Sequence, residues 1–537
     1  MSVSVHPSRS APTAGPIHEH RYAALAVLCV SLLIVTLDNT ILNIALPALV
    51  RSLHATESQL QWIVDAYAVV FGGLLLVAGT MADRTGRRKV FLIGLALFAA
   101  GSAAAAFSGS VTALIWSRAA MGVGAACIMP STLSIIADLF RDPRERARAI
   151  GLWSATSGLG IALGPIVGGW LLERFWWGSV FFVNVPIALA GALAAWWLVP
   201  DSRDPLRRPL DAVGAPLATA GLLLLLWAII ESPVRGWDAA PTLAFGACGL
   251  ALLTGFGLWE RHTAHPMLYL PAFRDRRFSV AMAAVAMAIF ALMGALFLLT
   301  QYLQFSLGYS AFAAGIRILP VAGLLAVTAP LSIRLDRLIG TKAVVALALT
   351  VIVSGLLWLS RLSVTGDFGH ALPGLLLLGA GAGLAIAPST AAVIGSLPPQ
   401  RAGVGSATNG TALQTGGALG VAVIGATLAA RYQGDMVAVL TGRPVPPAAA
   451  HAITGSLGGA LDVAGRAGGP AGRLLAVAAR SAFLDGMRLA LTVAALVVAA
   501  GVALVLVALP SRASDRASDR ASDRASDRAS DRASDRA

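Results

Sequence analysis

Three ionisable side chains stand inside otherwise apolar runs of the sequence. They are Asp38 in "VTLDNTILNIALP" (Val35 to Pro47), Asp65 in "QWIVDAY" (Gln61 to Tyr67) and Arg118 in "LIWSRAAMGVGAA" (Leu114 to Ala126). A charge at bilayer depth costs roughly 2.5–3.5 kcal/mol on insertion scales, so each must be compensated or used. At 1.5 Å per residue from the nearer end of its run, Asp38 lies about 14 Å deep, Arg118 about 10 Å and Asp65 about 9 Å. The three therefore share one slab. Burial and a neighbouring guanidinium act on a carboxyl in opposite senses, so a carboxylate facing Arg118 could exchange a proton between compartments of different pH. A purely structural ion pair is the alternative. Depth alone does not choose between Asp38 and Asp65 as the titrating group.

Two further stretches carry a pattern. In "GTMADRTGRRKV", Gly79 and Gly86 allow a tight reversal, Asp83 is an acceptor for a helix N-terminus or an arginine, and Arg84, Arg87 and Arg88 offer ion-pair partners. In "SGLGIALGPIVGG", Gly160, Gly164 and Gly168 recur every fourth residue as a flat stripe for close helix approach. Pro165 among them removes a backbone hydrogen bond. Asn43, Trp62, Gln301, Gln304, Arg317 and Asn409 are further polar or aromatic side chains within or beside apolar runs, balanced between cavity lining and helix–helix bonding.

The elements that must position these residues are membrane helices. The chain has 537 residues, 57% hydrophobic and only 12% charged, with a mean hydropathy of +0.76, whereas soluble domains are nearer 25% charged. Fourteen runs are long enough to span a bilayer, and they are too long and uniformly apolar for the alternating strands of a barrel. The expected fold is all-α and polytopic, in a 6+2+6 arrangement. Residues 1–21 form a disordered cytoplasmic N-terminus, 22–199 a six-helix bundle, and 200–277 a two-helix insertion. Residues 278–509 form a second six-helix bundle with a long outer loop at 430–481, and 510–537 are a disordered tail of "ASDR" repeats. The net charge of +13 concentrates in alternate loops; the positive-inside bias then puts both termini in the cytoplasm and argues against a nucleic-acid partner. "GTMADRTGRRK" after the second run and "PLSIRLDRLIGTK" after the tenth echo each other at equivalent places, as repeat-built transporters require.

An enzyme is disfavoured. The eight histidines fall in tails, loops or run ends, the three cysteines are scattered, and no GxxxxGK[ST] string is present. Neither a metal nor another cofactor is expected, and the energy source would be the proton motive force.

The Gly79–Val90 string closely resembles the signature loop of the major facilitator superfamily, where it acts as a gating latch. "LIWSRAAMGVGAA" is similar to the family's fourth-span motif, whose arginine is linked to proton transfer. "GxxxGPxxGG" looks like the antiporter motif that marks exporters. "LDNTILNIALP" resembles the first-span motif of the fourteen-helix drug:proton antiporters, with Asp38, Thr40, Asn43 and Pro47 in register, and "FFVNVP" (Phe181 to Pro186) adds support. The resemblance covers about 22–509 and implies a bacterial, proton-coupled exporter of lipophilic drug-like compounds. It would sit in the inner membrane, work as a monomer and use alternating access. Export of a native metabolite is the runner-up, and a non-transport membrane sensor comes third.

Overall fold

A computed structural model describes residues 21–140, 142–203, 211, 213–263, 266–364, 366–397 and 402–509. The N-terminal segment, most of the basic link after 203 and the repeat tail lie outside the described residues. Among the described residues, fourteen helices are long and apolar enough to cross a membrane, and there is no strand.

The first bundle is α1 (Arg21–Leu53), α2 (Glu57–Thr85), α3 (Arg87–Ala106), α4 (Val111–Leu139), α5 (Pro143–Arg174), and α6 (Ser179–Phe182) continued by α7 (Asn184–Leu198). The α6–α7 interruption falls where Pro186 has no N–H to return to Phe182. An insertion follows, α8 (Gly214–Arg235) and α9 (Ala240–His262). The second bundle is α10 (Arg276–Gln301), α11 (Ala311–Ile339), α12 (Thr341–Leu359), α13 (Phe368–Gly395), α14 (Ala402–Leu440) and α17 (Gly469–Ala508). Two short helices, α15 (Pro447–Gly455) and α16 (Leu457–Ala467), lie between α14 and α17.

The two bundles repeat one packing scheme. In the first, α1 packs on α5, α2 and α3 on α4, and α3 on α7; in the second, α10 packs on α14, α11 and α12 on α13, and α12 on α17. Across the seam, α2 meets α14 and α5 meets α11, which are again equivalent pairs. The echoed loops are equivalent too. Gly86 between α2 and α3 has φ +125°, and Gly340 between α11 and α12 has φ +90°, a region L side chains rarely occupy. In each case one glycine is the entire connection.

Small residues set the helix spacing in both bundles. A Cβ on Gly160 would stand 2.0 Å from Thr36 Oγ1, one on Gly164 1.9 Å from Thr40 Oγ1, and one on Gly168 2.5 Å from Ile41 on α1. In the second bundle, a Cβ on Gly420 would lie 2.2 Å from the Phe290 carbonyl. Between bundles, a Cβ on Gly315 of α11 would lie 2.2 Å from the Pro165 carbonyl, and one on Gly169 2.5 Å from Phe312 Cα. The α5 stripe therefore packs within its own bundle, and Pro165 and Gly169 meet the other one.

The insertion is not a bystander. Leu222, Leu226 and Ile230 of α8 cluster with Ala68 and Val69 of α2 and Ala418 and Ala422 of α14, filling the groove where the bundles meet. Asp211 anchors the start of α8 by accepting from Gly214 N (2.8 Å), Val213 N (3.1 Å) and Trp259 Nε1 (2.9 Å). Burial works to raise its carboxyl pKa, but these bonds and one to Glu260 prevail and hold it below the usual carboxylate value.

The segment expected as an outer loop at 430–481 is mostly helical. α14 runs on to Leu440 because Tyr432 and Met436 are buried and Arg431 pairs with Asp435 one turn on, at 3.2 Å. Ser456 caps α16 by accepting from Gly459 N at 3.1 Å, and Gly468 at φ +59° separates α16 from α17.

Candidate functional site

Asp38 and Arg118 are fully buried and paired, with Arg118 Nη1 donating to Asp38 Oδ2 at 2.5 Å. Asn184, the first residue of α7, donates Nδ2 to Asp38 Oδ1 at 2.9 Å. Arg118 Nε donates to the Ile63 carbonyl of α2 at 3.1 Å, and the guanidinium lies 4.3 Å from the Tyr67 ring centroid, within cation–π range. Arg118 Nη2 has no hydrogen-bond partner among the described residues. Four elements, α1, α2, α4 and α7, thus converge on one ion pair. A buried pair of this kind is held because removing either charge strands the other.

Asp65 takes no part in this pair. It is fully buried, and neither carboxylate oxygen has a hydrogen-bond partner among the described residues. The reason is its place on the helix. Ile63 and Tyr67, one turn apart, face α4. Gln61, Asp65, Ala68 and Gly72 recur at i, i+4, i+7 and i+11 on the other face, where Gln61 abuts Gly425 and Gly72 abuts Gln414 of α14. A shared depth did not mean a shared site.

At the signature loop, Arg87 Nε donates to Asp83 Oδ1 at 2.8 Å, and Nη1 pairs with Asp138 at the end of α4. Its backbone N–H donates to Ser202 O at 2.9 Å. Arg88 donates to Val199 O (3.3 Å) and Trp196 O (3.4 Å) at the end of α7, Gly79 packs near Pro130 of α4, and Arg84 is exposed. The loop therefore ties α2, α3, α4 and the end of α7 into one unit. An Arg87→Ala variant is expected to unfold at a lower temperature in detergent than wild type, measured by intrinsic tryptophan fluorescence. Arg87→Lys should not restore the stability, because one ammonium cannot reproduce the two-nitrogen contact to two carboxylates.

The residues expected to line a cavity are dispersed. Gln301 Nε2 donates to Glu57 Oε2 (3.1 Å) and Gln304 Nε2 to the Ile44 carbonyl (3.0 Å), so both close the seam between bundles at the end opposite the signature loop. Arg51 stacks 5.7 Å from the Phe305 ring centroid, and Glu173 accepts from Phe312 N at 3.3 Å, in the same region. Trp62 packs against the α8 cluster rather than a cavity. Arg317 lies over Tyr309 (3.8 Å) and donates to Ala313 O (3.0 Å), whereas Asn409 accepts from Thr390 at 3.4 Å. Asn43 is buried on α1.

The family model for the Major Facilitator Superfamily matches residues 28–421, more than half of the sequence. The chain belongs to this superfamily. As a major facilitator it is a transporter and a multi-pass membrane protein, not an enzyme. It is 37% identical over 91% of its length to the multidrug efflux pump LfrA of Mycolicibacterium smegmatis, covering 96% of that protein. It is 34% identical over 94% of its length to the tetracenomycin C resistance and export protein of Streptomyces glaucescens, covering 95% of it. Among solved structures, the occupied, inward-facing bacterial homologue of the human lysosomal transporter Spinster superposes with a TM-score of 0.62 at 15% identity. The match covers 91% of this chain and 97% of that one, a likeness of fold.

Sequence reading did not single out Asn184, Asp138, Tyr67 or Glu57 as site residues of this transporter. Asn184 had a signal, a lone amide inside "FFVNVP". Asp138 was hidden among the charges that end α4, and Glu57 fell just outside the second apolar run.

Proposed function

We propose that this transporter exports lipophilic, drug-like compounds in exchange for protons, with the Asp38–Arg118–Asn184 cluster as the coupling site. The observation that carries the reading is a fully buried carboxylate held by a guanidinium and an amide from two other elements. The drug class rests on relatives named for multidrug efflux and for antibiotic resistance and export. The signature loop faces the cytoplasm, as the positive-inside bias requires, so the closed seam at Gln301 and Gln304 faces outside. Protonation of Asp38 from outside neutralises the carboxylate and loosens its hold on Arg118. The two bundles then rock about the α2–α14 and α5–α11 seams. Cells expressing the protein should expel preloaded ethidium, a lipophilic cation, and a protonophore should stop this while ATP is still present. Efflux that survives the protonophore but fails on ATP depletion would overturn the reading.

A further inference from the structure

At the outer end of the seam lies a pocket of about 240 Å³, lined among others by Glu57, Glu231, Tyr432, Gln433, His451 and Thr454. It is formed where α2, α8, α14 and α15 meet. The short helices between α14 and α17 fasten it across both bundles. Tyr432 Oη donates to the Ile453 and Ser456 carbonyls, and a Cβ on Gly458 would stand 2.5 Å from Val50 of α1 and 2.6 Å from Phe305 of the second bundle.

From this pocket a polar line descends α2. Glu57, Gln61 and Asp65 are spaced i, i+4, i+8, so they lie one above another on a single face, and all three are buried. Among the described residues, Glu57 Oε1, both polar atoms of the Gln61 amide and both oxygens of Asp65 have no hydrogen-bond partner. Groups so placed carry a desolvation penalty that a packed membrane interior does not ordinarily tolerate. Five unpartnered atoms in one file, beginning at a pocket, are what a chain of water molecules would satisfy. The charged and titratable groups around Glu57 are Glu231 on α8, which is 3.5 Å from Arg235, Tyr432 on α14 and His451 on α15. Among the described residues, Gln301 of α10 is the one hydrogen-bond partner of the Glu57 side chain. Arg51 and Arg480 at the same end are engaged with Phe305 instead.

We propose that this pocket is the transporter's external proton-access site, with Glu57 as collector and the Gln61–Asp65 face of α2 as the path into the seam. The inference rests on the proton-exchange reading above and adds an entry route that ends on Asp65, a second titrating carboxylate on the face of α2 away from the Asp38 cluster. Hydronium in the pocket gives its proton to the Glu57 carboxylate. Protonated Glu57 passes a proton through water held along Gln61 to the Asp65 carboxylate, and Glu57 returns to its ionised form. Nothing else is consumed, and Asp65 becomes neutral on the α2 face that meets α14.

The test is ethidium efflux from preloaded cells at external pH 6.5 to 8.5, for wild type, Glu57→Gln and Glu57→Asp, with ethidium binding to each purified protein measured beside it. A carboxyl collector keeps supplying protons when free hydronium is scarce, so wild-type efflux is expected to change less than about threefold over this range. Without it, Glu57→Gln should match wild type within about twofold at pH 6.5 and fall at least about tenfold behind at pH 8.5. Glu57→Asp should follow wild type, and ethidium affinity should be unchanged in both variants. A Glu57→Gln profile parallel to wild type, whether at full rate or uniformly lowered, would overturn the proposal. If wild type itself shows no protonophore-sensitive efflux, it is the exchange reading that falls first.

Discussion

Asp38→Asn is expected to lower proton-coupled export at least about 100-fold while the protein still reaches the membrane and still binds substrate. Asparagine is nearly isosteric: its Oδ1 can accept from Arg118 while its Nδ2 donates to Asn184 Oδ1 once that amide flips, so the cluster keeps its shape and loses the group that titrates. The stability consequences separate coupling from architecture. Breaking a buried ion pair by removing one partner costs about 3–5 kcal/mol, because the remaining charge is stranded. Arg118→Met should therefore destabilise the purified protein by that order. The double variant Asp38→Asn/Arg118→Met should be less destabilised than Arg118→Met alone, since no uncompensated charge remains. Thermal unfolding in detergent, read by intrinsic tryptophan fluorescence, measures each. If Asp38→Asn instead exports at the wild-type rate, the pair is structural and the coupling proton lies elsewhere, with Asp65 the next carboxylate to replace.

The second large effect concerns the α1–α5 contact. A Cβ at Gly164 would stand 1.9 Å from Thr40 Oγ1 and 2.9 Å from Thr40 Cβ, with Ile41 N at 3.1 Å. Thr40 is itself held, bonding to the Leu37 carbonyl at 3.1 Å, so it has little room to yield. Overpacking of this kind typically costs about 1–3 kcal/mol. Here it also prises α5 from α1, and α5 carries Pro165 and Gly169 to the second bundle. Gly164→Val should reduce export at least about tenfold, and Gly164→Ala should show a smaller deficit. Thr40→Ala in the Gly164→Ala background should recover part of the loss, because it removes the 1.9 Å clash and leaves the tight Cβ contact. Full recovery, or no deficit at all in Gly164→Val, would mean that the stripe is not a packing surface of α1.

Much of the architecture could be read from the chain because a bilayer leaves few choices. Residues without a polar run between them must be helix, and the glycine that links α2 to α3 has a visible counterpart linking α11 to α12. The Asp38–Arg118 pair was legible for a similar reason: two opposite charges at one depth have strong cause to meet. Depth is only one coordinate, however. Asp65 shares it but faces α14, and rotation about a helix axis that is apolar nearly all round leaves no periodic mark in the sequence. Gln301 and Gln304 could not be told from cavity residues, because an amide that bridges two bundles and one that meets a substrate have the same composition. The segment 430–481 misled through its glycine and alanine content, although Tyr432 and Met436 stand one turn apart on a buried face. The Glu57 side chain was lost to the apolar count, which ends a helix where charge begins; the structure buries it beside α14 and α15.

The decisive measurement uses inverted membrane vesicles energised to an acidic interior, with a pH-sensitive dye reporting proton release as ethidium is added. Wild type and Asp38→Asn are compared at matched protein levels. Ethidium-triggered proton release from wild-type vesicles, absent in Asp38→Asn, is the expected result and would place proton–drug exchange on the buried cluster. Equal release from both would contradict Asp38 as the coupling carboxylate, and no release from wild-type vesicles would contradict proton–drug exchange itself.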